Sequence, residues 1–520
     1  MLFLTFLDTT IVSVTLADVQ SDLHAGVSQL QWVVNGYALV FASLMLSAGA
    51  LSDRFGRRRL LLIGLGVFAA GSLLAALAPD TDVLIAARAV MGVGAAASEP
   101  GTLSILRHLY PERHERARAL GAWAAVSGLA LAAGPVIGGV LVGLGSWRSV
   151  FWFNLAAGVV LVVTAARTLP ESADPTGRRL DVGGFVLGAG AIGALAFAII
   201  VGETTGYAYG PVVALFVGGI ACAGGFVVRE RRASAPMLDL GYFRAPPFAG
   251  AMVVAFVLFF AIFSIFFFTA LYLQVVVGFS AYRVAVEFLA MAVSMVVASV
   301  FAGRWVAMAG PRLPMAAGAA FAGGGILLSE LVLSSGTPSG WLVATLAIAG
   351  AGFGTSVVPV TSVALGVVPP EHSGMAASAT NTSRELGAVF GVAVLGALVN
   401  GHLSNDLALR LHHLGIPSAF QAIVIGAVET GGVSGQDPSA ERAYGPIVAK
   451  VIHAAYGAFH SGLSEALVAS GVAILVAALV ALATLGTRRV SPAPAITPTA
   501  GAGAGAGAGA PLAHERERPR

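Results

Sequence analysis

Apolar residues run in long blocks separated by short polar breaks from the start of the chain almost to residue 486. A block of about 20 such residues is what a helix needs to cross a hydrocarbon layer, and about fourteen can be counted. They lie near 2–19, 29–51, 60–78, 83–105, 118–143, 149–166, 182–202, 211–228, 248–275, 283–303, 312–334, 341–367, 375–399 and 464–486. The pattern predicts an all-α integral membrane protein. The first block has no basic leader and carries Asp8, so it reads as a retained span and not a cleaved leader.

Composition sharpens this picture. Hydrophobic residues make up 57% of the 520 and charged residues 11%, where a soluble domain averages about 25% charged. The net charge is only +3, and its placement carries more information than its size. With the amino terminus inside, Arg54, Arg57, Arg58 and Arg59 face the cytoplasm, followed by Arg107, Arg113, Arg116, Arg118, Arg167, Arg178, Arg179, Arg229, Arg231, Arg232, Arg244, Arg304, Arg312, Arg488 and Arg489. The opposite loops hold Arg148, Arg283, Arg410, Arg442 and Lys450. The positive-inside bias therefore selects an even number of spans with both termini cytoplasmic. Arginines dispersed between spans in this way argue against a nucleic-acid partner.

Cys222 is the lone cysteine, which excludes a disulfide framework and a cysteine-based metal site. The segment 401–460 reads as a long outer loop. Its His402, His412, His413, His453 and His460 match no compact metal spacing, and solvated or interfacial histidines are the plainer reading. The tail 488–520 is rich in Pro, Ala and Gly and reads as disordered. No Gly-x-x-x-x-Gly-Lys-Ser/Thr run occurs, so no ATP site is expected.

Several polar residues stand inside the apolar blocks, where they are expensive. Asp8 lies in Leu7-Asp8-Thr9-Thr10-Ile11-Val12, and a charge at mid-bilayer costs about 2.5–3.5 kcal/mol even on insertion scales. Such an acid faces a watery cavity, pairs with a cation or carries a proton, or else it serves as a capping or helix-contact group. Arg88 needs a partner too, either a carboxylate or a freed backbone carbonyl. Glu99 precedes Pro100, and a proline frees a carbonyl and kinks its helix. Glu99 lies eleven residues after Arg88, close to three helical turns, so the two share a face without touching. Glu99 is a candidate for binding a proton or a cationic substrate, with helix packing or an ion pair to another span as the alternative. Arg384 and Glu385 are neighbours on one helix and point about 100° apart, so they need not pair with each other. With Asn381 they are candidate cavity or structural polar groups.

Two glycine-bearing runs add geometry. Gly49-Ala50-Leu51-Ser52-Asp53-Arg54-Phe55-Gly56-Arg57-Arg58-Arg59 packs an acid and four arginines into a very short connection. Glycines permit sharp turns, and arginine forks onto carboxylates and helix ends. Gly49, Gly56 and Arg58 recur at one constant offset as Gly303, Gly310 and Arg312, with Ala307 in place of Asp53. A duplicated bundle leaves such a trace. Ala130 and then Gly134-Pro135-Val136-Ile137-Gly138-Gly139 would let a neighbouring helix approach closely and bend.

The Gly49–Arg59 run resembles the loop between the second and third helices of the major facilitator superfamily. Leu84-Ile85-Ala86-Ala87-Arg88 resembles its fourth-helix motif, with Met91 where glutamine is usual. Asp8-x-Thr-x-Val and Gly134–Gly139 resemble the first-helix and antiporter motifs of its fourteen-span drug–proton antiporters (EmrB/QacA type). Trp147–Asn154, Leu169-Pro170-Glu171-Ser172 and Asn381–Gly387 also resemble that branch in order and spacing. The resemblance implies two pseudo-symmetric six-helix halves plus two inserted helices. Its boundaries fall at 1–169 for the first half, 170–245 for the inserted pair with cytoplasmic linkers, 246–487 for the second half and 488–520 for the tail.

The implied activity is proton-coupled efflux of small amphipathic or drug-like compounds by alternating access, not an enzymatic reaction. It would run on the proton motive force with no cofactor and no metal, and a monomer in the cell membrane is expected. Asp8, Glu99 and Arg88 are the expected proton-coupling residues. Gly49, Asp53, Arg54, Gly56, Arg57 and Arg58 form the expected conformational switch, and Gly134, Pro135, Gly138 and Gly139 the antiporter motif. An exporter of one dedicated metabolite or self-made antibiotic is the alternative. A non-transporting receptor or scaffold ranks behind both, because it has no use for three costly buried groups.

Overall fold

The structure is a computed structural model, and it describes all residues except 26, 111, 172–180, 234–237, 280, 336–338, 370–371, 415–445 and 487–520. The described residues are helical, with no strand among them. Fourteen long helices follow in chain order. They are α1 (Leu2–Leu23), α2 (Val27–Phe55), α3 (Arg57–Ala76), α4 (Thr81–Leu109), α5 (Arg113–Leu144), α6 (Arg148–Thr168), α7 (Val182–Thr205), α8 (Gly210–Arg232), α9 (Pro246–Val275), α10 (Ala281–Ala309), α11 (Arg312–Ser335), α12 (Ser339–Val367), α13 (Ser373–His413) and α14 (Pro446–Thr484). Each overlaps one apolar block of the sequence. Nine of them, among the described residues, are long and apolar enough to cross a membrane.

Local chemistry sets the helix ends. Asp80 caps α4 by accepting from the Val83 backbone N–H at 2.8 Å, and Asp181 caps α7 through Gly184 N–H at 2.8 Å. Such caps satisfy donors that a helix start leaves unpaired. Prolines open α8 and α9, where the missing N–H costs nothing. At the far end of α1, Asp22 accepts from Arg148 Nη1 at 2.5 Å and Trp147 Nε1 at 3.0 Å. These two donors hold the Asp22 carboxyl below its usual range.

Helices α1–α6 pack among themselves, as do α9–α14. The two groups meet along α5 against α10 and α2 against α13. Helix α7 lies on the second of these seams and touches both α2 and α13, while α8 packs on α7. Trp32 of α2 and Phe197 of α7 bring their ring centroids to 5.2 Å.

The segment expected as an outer loop, 401–460, is corrected in part. Residues up to His413 continue α13, and α14 already begins at Pro446. Leu407 and Leu411 pack there against Ala454, Ala455 and Ala458 in a small cluster of their own. The middle of that segment and the tail 488–520 lie outside the described residues, as does 172–180 of the linker after α6.

Candidate functional site

Asp8 is fully buried at the centre of the first group. Its Oδ2 forms an ion pair with Arg88 Nη1, and its Oδ1 accepts from Asn154 Nδ2 at 2.8 Å. Arg88 also donates from Nε to the Val33 carbonyl at 2.9 Å and lies over the Tyr37 ring, 4.5 Å from its centroid. Met91 Sδ stands 3.9 Å from Nη1 in the place where the family usually has glutamine. Four helices thus contribute to one closed knot, with the acid from α1, the cation from α4, the amide from α6 and the carbonyl and ring from α2. The charges are compensated in place, which is the condition for keeping them buried.

Gly134 touches the same helix as Asp8. A Cβ on Gly134 would sit 1.9 Å from Thr10 Oγ1, 2.8 Å from Thr10 Cβ and 3.0 Å from the Ile11 nitrogen. Only a glycine lets α5 approach α1 so closely. Gly138 is buried, whereas a Cβ on Gly139 would meet open space. The side chain of Pro135 lies outside the described residues.

A second set of polar groups lies on the seam between the groups. Glu99 from α4 is 2% exposed, and its Oε2 has no hydrogen-bond partner. Helix α4 packs there on α13, which carries Arg384. Arg384, equally buried, donates from Nη2 to Thr361 Oγ1 at 2.6 Å and from Nη1 to Asn381 Oδ1 at 3.2 Å. Its guanidinium lies 5.1 Å from the Trp123 ring of α5 and 5.5 Å from the Phe259 ring of α9. Arg384 Nε, Asn381 Nδ2 and Thr382 Oγ1 have no partner either. Buried polar atoms without partners are rare in native proteins because each costs a desolvation penalty. Four of them lie on α4 and α13, which pack on each other where the two groups meet. Glu385 is half-buried beside them.

At the end of the bundle where α2 gives way to α3, Gly56 adopts φ +103°, a backbone conformation that favours glycine. Glu171, just past α6, caps α3 there. Its carboxylate accepts from the backbone nitrogens of Arg58 and Arg59, both at 3.2 Å. Arg58 donates to the Ala166 carbonyl near the end of α6. Its repeat counterpart Arg312 donates to the Leu482 carbonyl near the end of α14 at 2.9 Å, and Gly310 repeats the positive φ of Gly56 at +81°. Arg54 lies 5.2 Å from the Phe55 ring centroid, and Gly49 is buried in α2. The side chain of Asp53 lies outside the described residues.

Three hydrogen bonds tie the two groups together near that end. Arg57 Nη2 donates to Ser373 Oγ at 3.0 Å, Arg107 Nη2 to the Val368 carbonyl at 2.8 Å, and Ser378 Oγ to the Met45 carbonyl at 2.5 Å.

The sequence pointed to Asp8, Arg88, Glu99 and Arg384, and the structure separates them into two places: the Asp8–Arg88 knot within one group, and Glu99 and Arg384 on helices that pack across the seam. Asn154, Trp123, Thr361, Ser373 and the capping carboxylate of Glu171 were not assigned roles by sequence. An amide alone in the apolar stretch 149–166 was the signal for Asn154.

Two helical groups meeting on a polar seam are the architecture of a membrane transporter, and the relatives agree. Residues 1–392 match the Major Facilitator Superfamily, and the chain belongs to that family. It is therefore a multi-pass protein of the cell membrane. The multidrug resistance protein Stp of Mycobacterium tuberculosis is 35% identical over 428 residues, 82% of this chain and 79% of that protein. The methylenomycin A resistance protein of Streptomyces coelicolor is 34% identical over 80% of this chain and 87% of its own length. The tetracenomycin C resistance and export protein of Streptomyces glaucescens is 30% identical over 92% and 88%. Among solved structures, the proton:xylose symporter XylE superposes with a TM-score of 0.60 at 15% identity, covering 92% of each chain. That last likeness concerns the fold alone.

Proposed function

We propose that this chain exports small amphipathic or drug-like compounds in exchange for protons. The observation that carries the reading is the group of unpartnered buried atoms on Glu99, Asn381, Thr382 and Arg384 between the helical groups. Those atoms would receive a substrate or its water where the two groups move against each other. The names of the multidrug and antibiotic resistance relatives support a drug-like cargo.

In this reading all fourteen long helices cross the membrane, both termini are cytoplasmic, and the Arg57 end faces the cytoplasm. The bonds from Arg57, Arg107 and Ser378 would then close the cytoplasmic side and leave the site to be served from outside. Closure of the opposite end requires these bonds to break as the groups rock. A proton on Asp8 would remove the charge that holds Arg88 and loosen α1 from α4 and α6. Asp8 is the first assignment for the coupling proton, with Glu99 as second. Proton and substrate shift the equilibrium only by binding the two states differently. A membrane potential adds about 2.3 kcal/mol per charge per 100 mV when the exchange moves net charge. The protein works as a monomer, without ATP, metal or cofactor, and performs no enzymatic step.

A dedicated exporter of one compound is the second reading, favoured by relatives named for single antibiotics. Efflux from reconstituted vesicles against a panel of cationic dyes and antibiotics separates the two. Several structurally unrelated substrates support the broad reading and one substrate the narrow one, while no transported compound in the panel contradicts the first.

A further inference from the structure

A groove of about 590 Å³ runs between α11 and α14 on the outer face of the second helical group. Its lining is apolar and includes Trp305 of α10, Ala316, Ala317 and Ala320 of α11, and Val476 and Leu479 of α14. It exists because the two helices are pinned together further along. A Cβ on Gly323 would lie 2.7 Å from the Gly471 carbonyl, so backbones nearly touch there. From that crossing back to the start of α11 is roughly three turns, about 15 Å. Over that distance α11 offers alanines, and among the described residues nothing fills the space left. Leu313 at 56%, Val476 at 52% and Leu479 at 65% are exposed along it. Its place on the outside of a membrane bundle leaves hydrocarbon as the surrounding solvent.

The end of the groove is basic. Arg312 immediately precedes the lining residue Leu313 and is bonded to the carbonyl of Leu482, which also lines the groove. That bond uses Nη2, whereas Arg312 Nε is buried and has no partner. Arg304, next to Trp305, is exposed and rests over the Phe301 ring at 5.7 Å. Contacts place this end at the same end of the bundle as the Arg57 loop. A Cβ on Gly101, near the end of α4, would lie 3.4 Å from the Arg57 carbonyl. One on Gly121, near the start of α5, would lie 2.8 Å from the Ser299 carbonyl in the last turns of α10.

We propose that this groove binds one acyl chain of an anionic phospholipid, with the phosphate held by Arg312 and Arg304. The apolar slot accepts the chain, and the positive charge of the two arginines beside it selects a negative headgroup. A bound lipid would bridge α10, α11 and α14 and fill a gap that the described residues leave open. The site is separate from the Glu99–Arg384 seam and does not depend on what the protein exports.

Trp305 reports on its occupancy, because a brominated acyl chain quenches an indole only at contact. The purified full-length protein and its Trp305→Phe variant are titrated in neutral detergent with brominated phosphatidylglycerol or brominated phosphatidylcholine. The Trp305 signal is the difference between the two proteins. Phosphatidylglycerol should quench it at a concentration about fivefold lower per engaged arginine, and Arg312→Gln should lose that factor. Should Arg312→Gln fail to fold, Ala317→Phe fills the slot, keeps both arginines and should protect Trp305 from either lipid. Equal quenching by the two lipids overturns the proposal, since the groove would then be ordinary bilayer solvation. So does a Trp305 shielded from both in a protein that sediments as a dimer, which would assign the face to a second copy.

Discussion

Arg57 at the first position of α3 donates from Nη2 to Ser373 Oγ at the first position of α13, 3.0 Å away, and both are nearly buried at 5% and 1% exposure. A single bond thus joins the opening turns of two helices from opposite groups. A hydrogen bond to a charged group contributes about 1.5–3 kcal/mol, enough to hold one end state of a rocking bundle. Ser373→Ala and Arg57→Ala should open this end. Spin labels at exposed Arg59 and Met308 should report longer or broader distances in both variants, with substrate affinity changed by less than about tenfold, the factor that 1.4 kcal/mol represents. Unchanged distances would reduce Arg57 to a topological charge. Asp53→Asn, in the same loop, should abolish efflux in the same manner while binding persists.

Asp8→Asn removes the carboxylate from the Arg88 knot. Breaking one side of a buried pair costs about 3–5 kcal/mol, so thermal stability should fall along with coupling. The double variant Asp8→Asn with Arg88→Gln should regain much of the melting temperature but not uphill transport. If Asp8→Asn still accumulates substrate against a gradient when driven by pH, Asp8 is structural and Glu99 takes the coupling assignment.

Glu99→Gln keeps shape while removing charge from the seam. Binding of a cationic dye, followed by fluorescence anisotropy, should weaken by about tenfold or more, as the loss of one charged hydrogen bond requires. A neutral antibiotic should bind nearly as before. Equal loss for both would make Glu99 a packing residue.

Gly134→Ala drives a methyl into Thr10 and the Ile11 backbone, and overpacking of this kind costs about 1–3 kcal/mol. Thr10→Ala in the same protein should restore part of the melting temperature, because the hydroxyl goes but the Ile11 nitrogen stays. A Gly134→Ala protein as stable as the parent would show that α1 and α5 do not pack this closely.

Helix positions were legible because hydrocarbon demands long apolar runs, and every block of the sequence became one helix. The exceptions were the ends of α13 and α14. Residues 401–413 carry Asn405, Asp406 and Arg410, so a reading tuned to membrane spans stopped short, although Leu407 and Leu411 supply an ordinary amphipathic face. Within the site, burial cost exposed Asp8, Arg88 and Glu99, since a charge in an apolar run needs a reason. Their partners were not legible, because pairing is a property of helix packing. Asp8 meets Arg88 and Asn154 from α4 and α6, and Arg384 meets Trp123 from the other group. Glu171 stood out only as part of a motif, and its capping of α3 depends on where the chain returns after α6.

Export driven by a proton gradient is directly measurable. The most direct measurement loads proteoliposomes with the purified chain, imposes a pH gradient and follows a cationic dye against its own concentration gradient. Uphill movement should occur, collapse on adding a protonophore and disappear in Asp8→Asn or Glu99→Gln, whichever acid carries the proton, while downhill exchange continues. Uphill movement that survives the protonophore, or dye movement that only ever runs downhill in the parent protein, would contradict proton-driven export.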